Sequence, residues 1–207
     1  MTNQRYEPCG AVVAVLLSLS SGCAGGDPTN SPPGEPTGTA TEAQSIDIDC
    51  PHSVPANLVP PSGNKLKLGL HVVQGTQDYA CVNGAFSLQN PEAVLKNGRH
   101  AHDSRHFFGA PGSPLFVSER DGSEVDLDKI AASPAAGSIP WLLLQTAAVA
   151  EAQDGKPGLF TDVTFVQRLN TEGGNPPAGA CNVGEIVKVP YVADYFFYES
   201  GNGKSCR

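Results

Sequence analysis

The stretch that decides the fold is LKLGLHVVQGTQDYACVNGAFSL, residues 66–88. Its first apolar side chains alternate with other residues, and this period of two predicts a half-buried strand whose buried face carries Leu66, Leu68, Leu70 and Val72. His71 falls between them and is expected on the opposite face. Asn83-Gly84 then separates two strand-like runs, which is the strongest short signal for a β-hairpin. The stretch therefore predicts an antiparallel sheet.

The same succession of strand and turn continues to the C-terminus. A second hairpin is predicted around Asp121-Gly122, and the apolar run SIPWLLLQT (residues 138–146) predicts a buried strand. Two short helical segments are also predicted: residues 91–97, which Asn90 and Pro91 are suited to open, and a turn within residues 147–153. Pro190 is expected at an edge, bend or bulge of the last strand. The pattern predicts a single, mainly β domain over residues 50–207, an antiparallel β-sandwich or barrel-like domain with at most one or two short helices.

The N-terminal region has the features of an export signal. Residues 11–19, AVVAVLLSL, are too few to span a bilayer as a helix and are typical of the apolar part of a signal peptide. The SSGC that follows resembles the lipobox of bacterial lipoproteins, which predicts a signal peptide over residues 1–22 and a lipid on Cys23. An ordinary secretory signal cleaved nearby is the alternative. Residues 23–49 are rich in Pro, Gly, Ser and Thr and are predicted to form a flexible tether.

This N-terminus predicts an extracytoplasmic protein. Ala24 after the lipid-bearing cysteine favours the outer membrane; the alternatives are a secreted or a periplasmic protein. The expected partner is therefore the membrane, through an N-terminal lipid. Nucleic acid is excluded because the net charge is −8 and the 13 Lys and Arg residues are scattered, whereas phosphate binding requires clustered positive charge.

Four cysteines remain in the predicted domain: Cys50, Cys81, Cys181 and Cys206. In an oxidising compartment they suggest two disulfides, for which three pairings exist. Because Cys50 and Cys206 flank the domain and domain termini often lie close together, we favour Cys50–Cys206 with Cys81–Cys181.

The motif GRHAHDSRHFFG, residues 98–109, contains three histidines. On a strand, His100, His102 and His106 would share one side and could hold a transition metal, with Asp103 nearby. The alternative is a solvated polar connector between two glycines, and such loops are usually without a ligand. The sequence favours the connector and predicts no cofactor, with a transition metal as the alternative.

The last strand, YVADYFFY (residues 191–198), carries aromatic side chains on both faces. If one face stayed open, Tyr191, Tyr195 or Tyr198 could stack on a sugar or an aromatic ligand; the alternative is that both faces are packed. Asp194 lies in this apolar strand and is costly to bury unpaired, so an ion pair with Arg168 of the preceding strand is predicted.

Four motifs occur in order along the domain: GTQDYAC (75–81), IPWLLLQ (139–145), FVQRLNTEGGNPP with GAC (165–181) and VPYVADYFFY (189–198). Together they resemble the secreted bacterial and fungal domain-of-unknown-function family 3455. The resemblance implies an extracytoplasmic domain and no particular chemistry. Family members often continue from the histidine into Gly-Pro-Thr-Trp, whereas this chain has HFFGAPGSPLF (residues 106–116) and lacks that tryptophan.

Two functions of different classes follow from the sequence. The favoured one is a non-enzymatic, lipid-anchored binding or surface-interaction domain. The alternative is a metal-dependent enzyme that uses the histidine cluster. A metal analysis of the purified domain would separate the two.

Overall fold

The structure, a computed structural model, describes residues 49–98, 100–201 and 203–206, and for residues 100–103 it describes the backbone alone. The predicted signal peptide, Cys23 and the tether up to residue 48 lie outside these ranges and remain predictions. The strands are β1 (Asn64–Val82), β2 (Ala85–Asn97), β3 (His100–Phe108), β4 (Pro114–Ser118), β5 (Glu124–Ala135), β6 (Ser138–Ala150), β7 (Val163–Gly173) and β8 (Ile186–Ser200). A short 3-10 turn covers Ala56–Leu58.

The strands form a closed antiparallel barrel in which each strand pairs with its neighbour in sequence and β8 returns to β1. The prediction of a mainly β, barrel-like domain is confirmed. Both predicted hairpins are also confirmed: Asn83 and Gly84 join β1 to β2 with φ angles of 53° and 80°, as a tight hairpin turn requires, and Gly122 lies between β4 and β5. None of the described residues form a helix with the length and hydropathy needed to cross a bilayer.

The two predicted helices are wrong. Residues 91–97 belong to β2, which pairs with β1 on one side and β3 on the other. Ala93 and Leu95 point to the interior while Glu92 and Lys96 are exposed, so the segment follows the period of a strand. Pairing on both sides outweighs the local helix-opening signal. The second predicted helical turn, within residues 147–153, begins instead as strand: β6 extends to Ala150 because it pairs with β5 along that length.

The main core fills one end of the barrel. Phe116, Phe160 and Phe197 are fully buried there and contact one another edge to face or stacked. Phe160 comes from the β6–β7 connection, which is held by hydrogen bonds from Phe160 N–H to Ser123 Oγ (3.1 Å) and from Leu159 N–H to Asp121 Oδ2 (2.9 Å). This connection therefore closes one end of the barrel with an aromatic plug.

A second core lies outside the barrel. The N-terminal segment crosses the outer faces of β6, β7 and β8, where Leu58, Leu169 and Phe196 are buried together. Cys50 and Cys206 pack against this cluster and form one disulfide; Cys81 and Cys181 form the other. The favoured pairing is therefore confirmed. Because disulfides form and persist in oxidising compartments, the pair of bridges indicates an extracytoplasmic environment.

Candidate functional site

The barrel contains a cavity of about 770 Å³ above its packed end. The interior of an eight-stranded barrel is either filled by side chains or has room for one small ligand. In this barrel, side chains fill one half and the cavity occupies the other. The lining is partly apolar, with Leu127, Ile139, Leu142 and Leu144 from β5 and β6. Five polar side chains from four other strands complete it: Gln77, Tyr79, His106, Arg168 and Tyr195.

The cavity opens to the surface on the side of the barrel where neighbouring strands are paired over only part of their length. Pairing between β4 and β5 stops at Asp126, whereas β5 continues along β6 to Ala135. Likewise, pairing between β2 and β3 stops at Ala93, whereas β2 begins at Ala85 beside β1. The loop after β3, with Pro111, borders this gap, and the exposed Asp128 and Lys129 form its other rim.

Arg168 does not form the predicted ion pair with Asp194, although β7 and β8 are neighbours as predicted. Asp194 lies on the outer side of the barrel, where it accepts hydrogen bonds from His71 Nδ1 and Asn170 Nδ2, both at 2.7 Å. Arg168 is in register with Tyr195, the next residue along β8, and so points to the inside. The two side chains are on opposite sides of the sheet because successive strand residues alternate.

Inside the barrel, the Arg168 guanidinium is held by a backbone carbonyl. Its Nε and Nη2 donate to Pro140 O at 3.2 and 2.8 Å. No described carboxylate lies within ion-pair distance of it. Burial raises the pKa values of Tyr79 and Tyr191 and lowers that of His106; the positive charge of Arg168 opposes the rise for both tyrosines and adds to the fall for His106. These three groups belong to three different strands. The charge therefore acts on the centre of the barrel.

His106 is the buried imidazole of the site. Its ring stacks on Phe116 at a centroid distance of 4.2 Å, and its Nδ1 donates to Leu115 O at 3.0 Å. Burial lowers its pKa to about 4; the hydrogen bond to Leu115 opposes this shift and the charge of Arg168 adds to it. His106 is therefore neutral at pH 7, with Nδ1 protonated and Nε2 free to accept.

Three buried polar atoms beside Arg168 lack a partner of good geometry among the described residues: Gln77 Nε2, Tyr191 Oη and Tyr195 Oη. They lie close together, since burial first and then Tyr195 raise the pKa of Tyr191, while Arg168 and Gln77 lower it. Buried polar groups are nearly always hydrogen-bonded, so such a cluster at a cavity needs an explanation. A bound water or ligand would supply the missing partner.

Tyr191, Tyr195 and Tyr198 offer no open ring face for stacking, because all three rings are covered, which corresponds to the alternative that both faces of the strand are packed. Tyr191 and Tyr195 are packed inside the barrel, and Tyr198 belongs to the outer cluster, where its hydroxyl donates to Gln167 Oε1 at 2.6 Å. Tyr195 nevertheless is one of the residues that line the cavity. It is a potential hydrogen-bond donor and not an open stacking surface.

Of the three histidines in the predicted cluster, the structure describes the side chain of His106 alone. His106 faces the interior, as just described, while the side chains of His100 and His102 and of Asp103 lie outside the described part of the structure. Among the described residues, no group of three or more His, Cys, Asp and Glu side chains is placed to hold a metal ion. The shared metal site therefore stays a prediction without an observation in its favour.

A second depression of about 850 Å³ lies on the outer surface along β1, β2 and β3. Its charges are paired: Lys188 pairs with Asp78 and with Glu92 at 2.6 and 2.9 Å, and Arg105 pairs with Glu119 at 3.8 Å. With its own charges satisfied at the surface, this groove is a weaker candidate than the interior cavity.

Fold and site together define a closed antiparallel barrel with one plugged end and one polar-lined cavity. The family model described as "Protein of unknown function (DUF3455)" matches residues 93–199, slightly more than half of the chain, and the chain belongs to this family. No curated protein and no solved structure matches the chain.

Sequence reasoning missed the cavity and the role of Arg168. A signal for that role was present: in the FVQRLN motif, Arg168 lies two residues after Val166 and directly before Leu169, on a strand whose neighbours in sequence are strongly apolar. A charge in such a strand faces either water or a ligand cavity unless it is paired. Only the register of β7 on β8 shows that it faces inward.

Proposed function

We propose that this domain is a binding module that takes one small, largely apolar molecule into the barrel cavity. The observation that carries the proposal is the combination of a cavity of about 770 Å³ with buried polar atoms that make no hydrogen bond of normal geometry with the described residues. Ligand sites are typically concave, mostly apolar, and fitted with a few polar groups that orient the ligand. The apolar wall of β5 and β6 supplies the contact surface, and the polar strands supply orientation.

The binding proposal is tested with N-phenyl-1-naphthylamine, a neutral apolar probe that fluoresces when it leaves water. We expect saturable binding to the wild-type domain. Leu142→Trp places a large ring in the cavity, because Leu142 lines it, and should weaken binding at least about tenfold, or about 1.4 kcal/mol.

Ile130→Trp is the matched control, since Ile130 is 49% exposed on β5 and does not line the cavity. It should leave the affinity unchanged. Equal binding by both variants would place the probe on the surface, and an absence of binding to the wild type would refute the proposal.

A lipid anchor at Cys23, with the outer membrane as destination, is the second part of the proposal. It is supported by the apolar run, by SSGC and by Ala24, and it agrees with the extracytoplasmic environment that the disulfides indicate. Radiolabelled fatty acid should enter the wild type and not Cys23→Ser; equal labelling of the two proteins would contradict the anchor.

A further inference from the structure

Arg168 has hydrogen-bonding capacity that the protein does not use. A guanidinium carries five N–H groups, and the described contacts of Arg168 occupy one on Nε and one on Nη2, both directed to Pro140 O. The remaining N–H groups belong to a side chain that lines the cavity. A guanidinium in this state is suited to bind an oxyanion through two parallel hydrogen bonds.

The surroundings of Arg168 do not supply that oxyanion. The two carboxylates that line the cavity are Asp126 and Asp128, at the mouth. Asp126 Oδ1 accepts the N–H of Leu127 at 2.9 Å, and Asp128 is exposed at the rim beside Lys129. Neither lies within ion-pair distance of Arg168. The positive charge inside the barrel is therefore left without a counter-charge from the described residues.

The groups around Arg168 are neutral and suited to an anion. Tyr195 Oη is buried beside Tyr191 and makes no hydrogen bond of normal geometry with the described residues; as a phenol it can donate one. Gln77 Nε2 is likewise buried without a hydrogen bond of normal geometry to the described residues, although it lies near enough to Tyr191 to lower the pKa of that phenol. His106 adds no second positive charge at neutral pH, so the site offers a single cation with neutral donors beside it. This composition fits one charged head group and disfavours a dianion.

We propose that the ligand carries a single oxyanion, of the carboxylate type, that binds to Arg168 and accepts a hydrogen bond from Tyr195. The inference rests on the proposed binding function and names the chemical class of its ligand. The ligand is thus an amphipathic acid: its head group reaches the polar strands, and its apolar body lies against Leu127, Leu142 and Leu144. A cation would be repelled by Arg168, and a purely apolar molecule would leave the buried donors unpaired.

The test compares two molecules of equal chain length, sodium octanoate and octan-1-ol, as competitors of N-phenyl-1-naphthylamine. Octanoate should displace half of the probe from the wild-type protein at a concentration at least about tenfold lower than octanol requires. Arg168→Gln keeps a donor for Pro140 O and removes the charge, so this preference should fall at least about tenfold. Octanoate binding is also followed by calorimetry, which gives a direct measurement independent of the fluorescent probe.

Lys129→Gln is the matched control, because it removes a positive charge at the exposed rim. It should change the preference less than about twofold. Tyr195→Phe removes the unpartnered hydroxyl alone and should weaken octanoate and spare octanol. If Arg168→Gln fails to fold, the wild-type preference and Tyr195→Phe decide the question.

The outcomes separate the two proposals. If the fluorescent probe binds in the cavity but octanoate has no preference over octanol, the oxyanion inference is overturned and the binding function stands. If neither the probe nor octanoate binds, the binding function itself is refuted. If Lys129→Gln lowers the preference as much as Arg168→Gln does, the head group is bound at the rim and the assignment to Arg168 is wrong.

Discussion

The free energy of unfolding should decrease as the pH is lowered, because of His106. Its ring is 3% exposed and stacked on Phe116, and its Nδ1 donates to Leu115 O. Burial lowers its pKa to about 4, with the Leu115 hydrogen bond opposing the shift and the charge of Arg168 adding to it. In the unfolded chain a histidine titrates near 6.5. The folded and unfolded states therefore bind different numbers of protons at mildly acidic pH.

The sign follows from proton binding. Above about pH 6.5 the imidazole is neutral in both states and folding is unaffected. As the pH falls from about 6.5 to about 4, the unfolded state binds a proton that the folded state does not, so the free energy of unfolding decreases. Below about pH 4 both states are protonated and the loss is complete. At about 1.36 kcal/mol per pKa unit, the full loss is roughly 3 kcal/mol.

The measurement is urea unfolding of the wild type and His106→Gln at several pH values between about 7.5 and 4. Glutamine is neutral throughout and can still donate to Leu115 O, so the variant lacks the titration and retains a donor. We expect the wild type to lose roughly 3 kcal/mol more than the variant across this range. Carboxylates titrate in both proteins, so their contributions to the free energy of unfolding cancel in the difference between the two. Parallel curves of free energy against pH would refute the assignment of a buried, neutral imidazole.

Three further predictions concern the scaffold. Phe160→Ala should lower the free energy of unfolding by about 3–5 kcal/mol, because the plug is fully buried; a loss below about 1 kcal/mol in a denaturant titration would show that the barrel end is not packed as described. Replacing Cys50 and Cys206 by serine should cost about 5 kcal/mol, since the bridge spans 156 residues, and an unchanged melting temperature would contradict the entropic account. A double-mutant cycle with Arg168→Met and Asp194→Leu should give a coupling below about 0.5 kcal/mol, because the two groups have separate partners; a coupling of several kcal/mol would restore the ion pair.

Features that depend on neighbours in sequence were predictable. The period of two in residues 66–73, Asn83-Gly84 and Asp121-Gly122 indicated strands and hairpins, because side-chain alternation and turn conformation are local properties. Among the three possible pairings, the positions of Cys50 and Cys206 at the ends of one domain favoured their pairing with each other, and the structure contains this bridge.

Features that depend on which strand lies beside which were not predictable. Leu66 was expected on the face of Leu68 and Leu70, but a register shift after Leu66 moves it to the outer cluster. A single extra residue reverses which side of the sheet a side chain faces, and no local pattern marks it here. Residues 91–97 were expected to form a helix for a related reason: only their two strand partners, both from outside the segment, make them a strand.

The candidate site belongs to the second group. The sequence by itself determined a mainly β domain with two hairpins and two bridges, because alternation, turn residues and cysteine positions are local or terminal properties. Closure of β8 onto β1, the partial pairing at β3 and β4, and the inward direction of Arg168 were decided by the tertiary structure alone. The physical reason is that a period of two assigns side chains to two faces of a sheet, while only strand pairing determines which face encloses a cavity and which polar groups meet there.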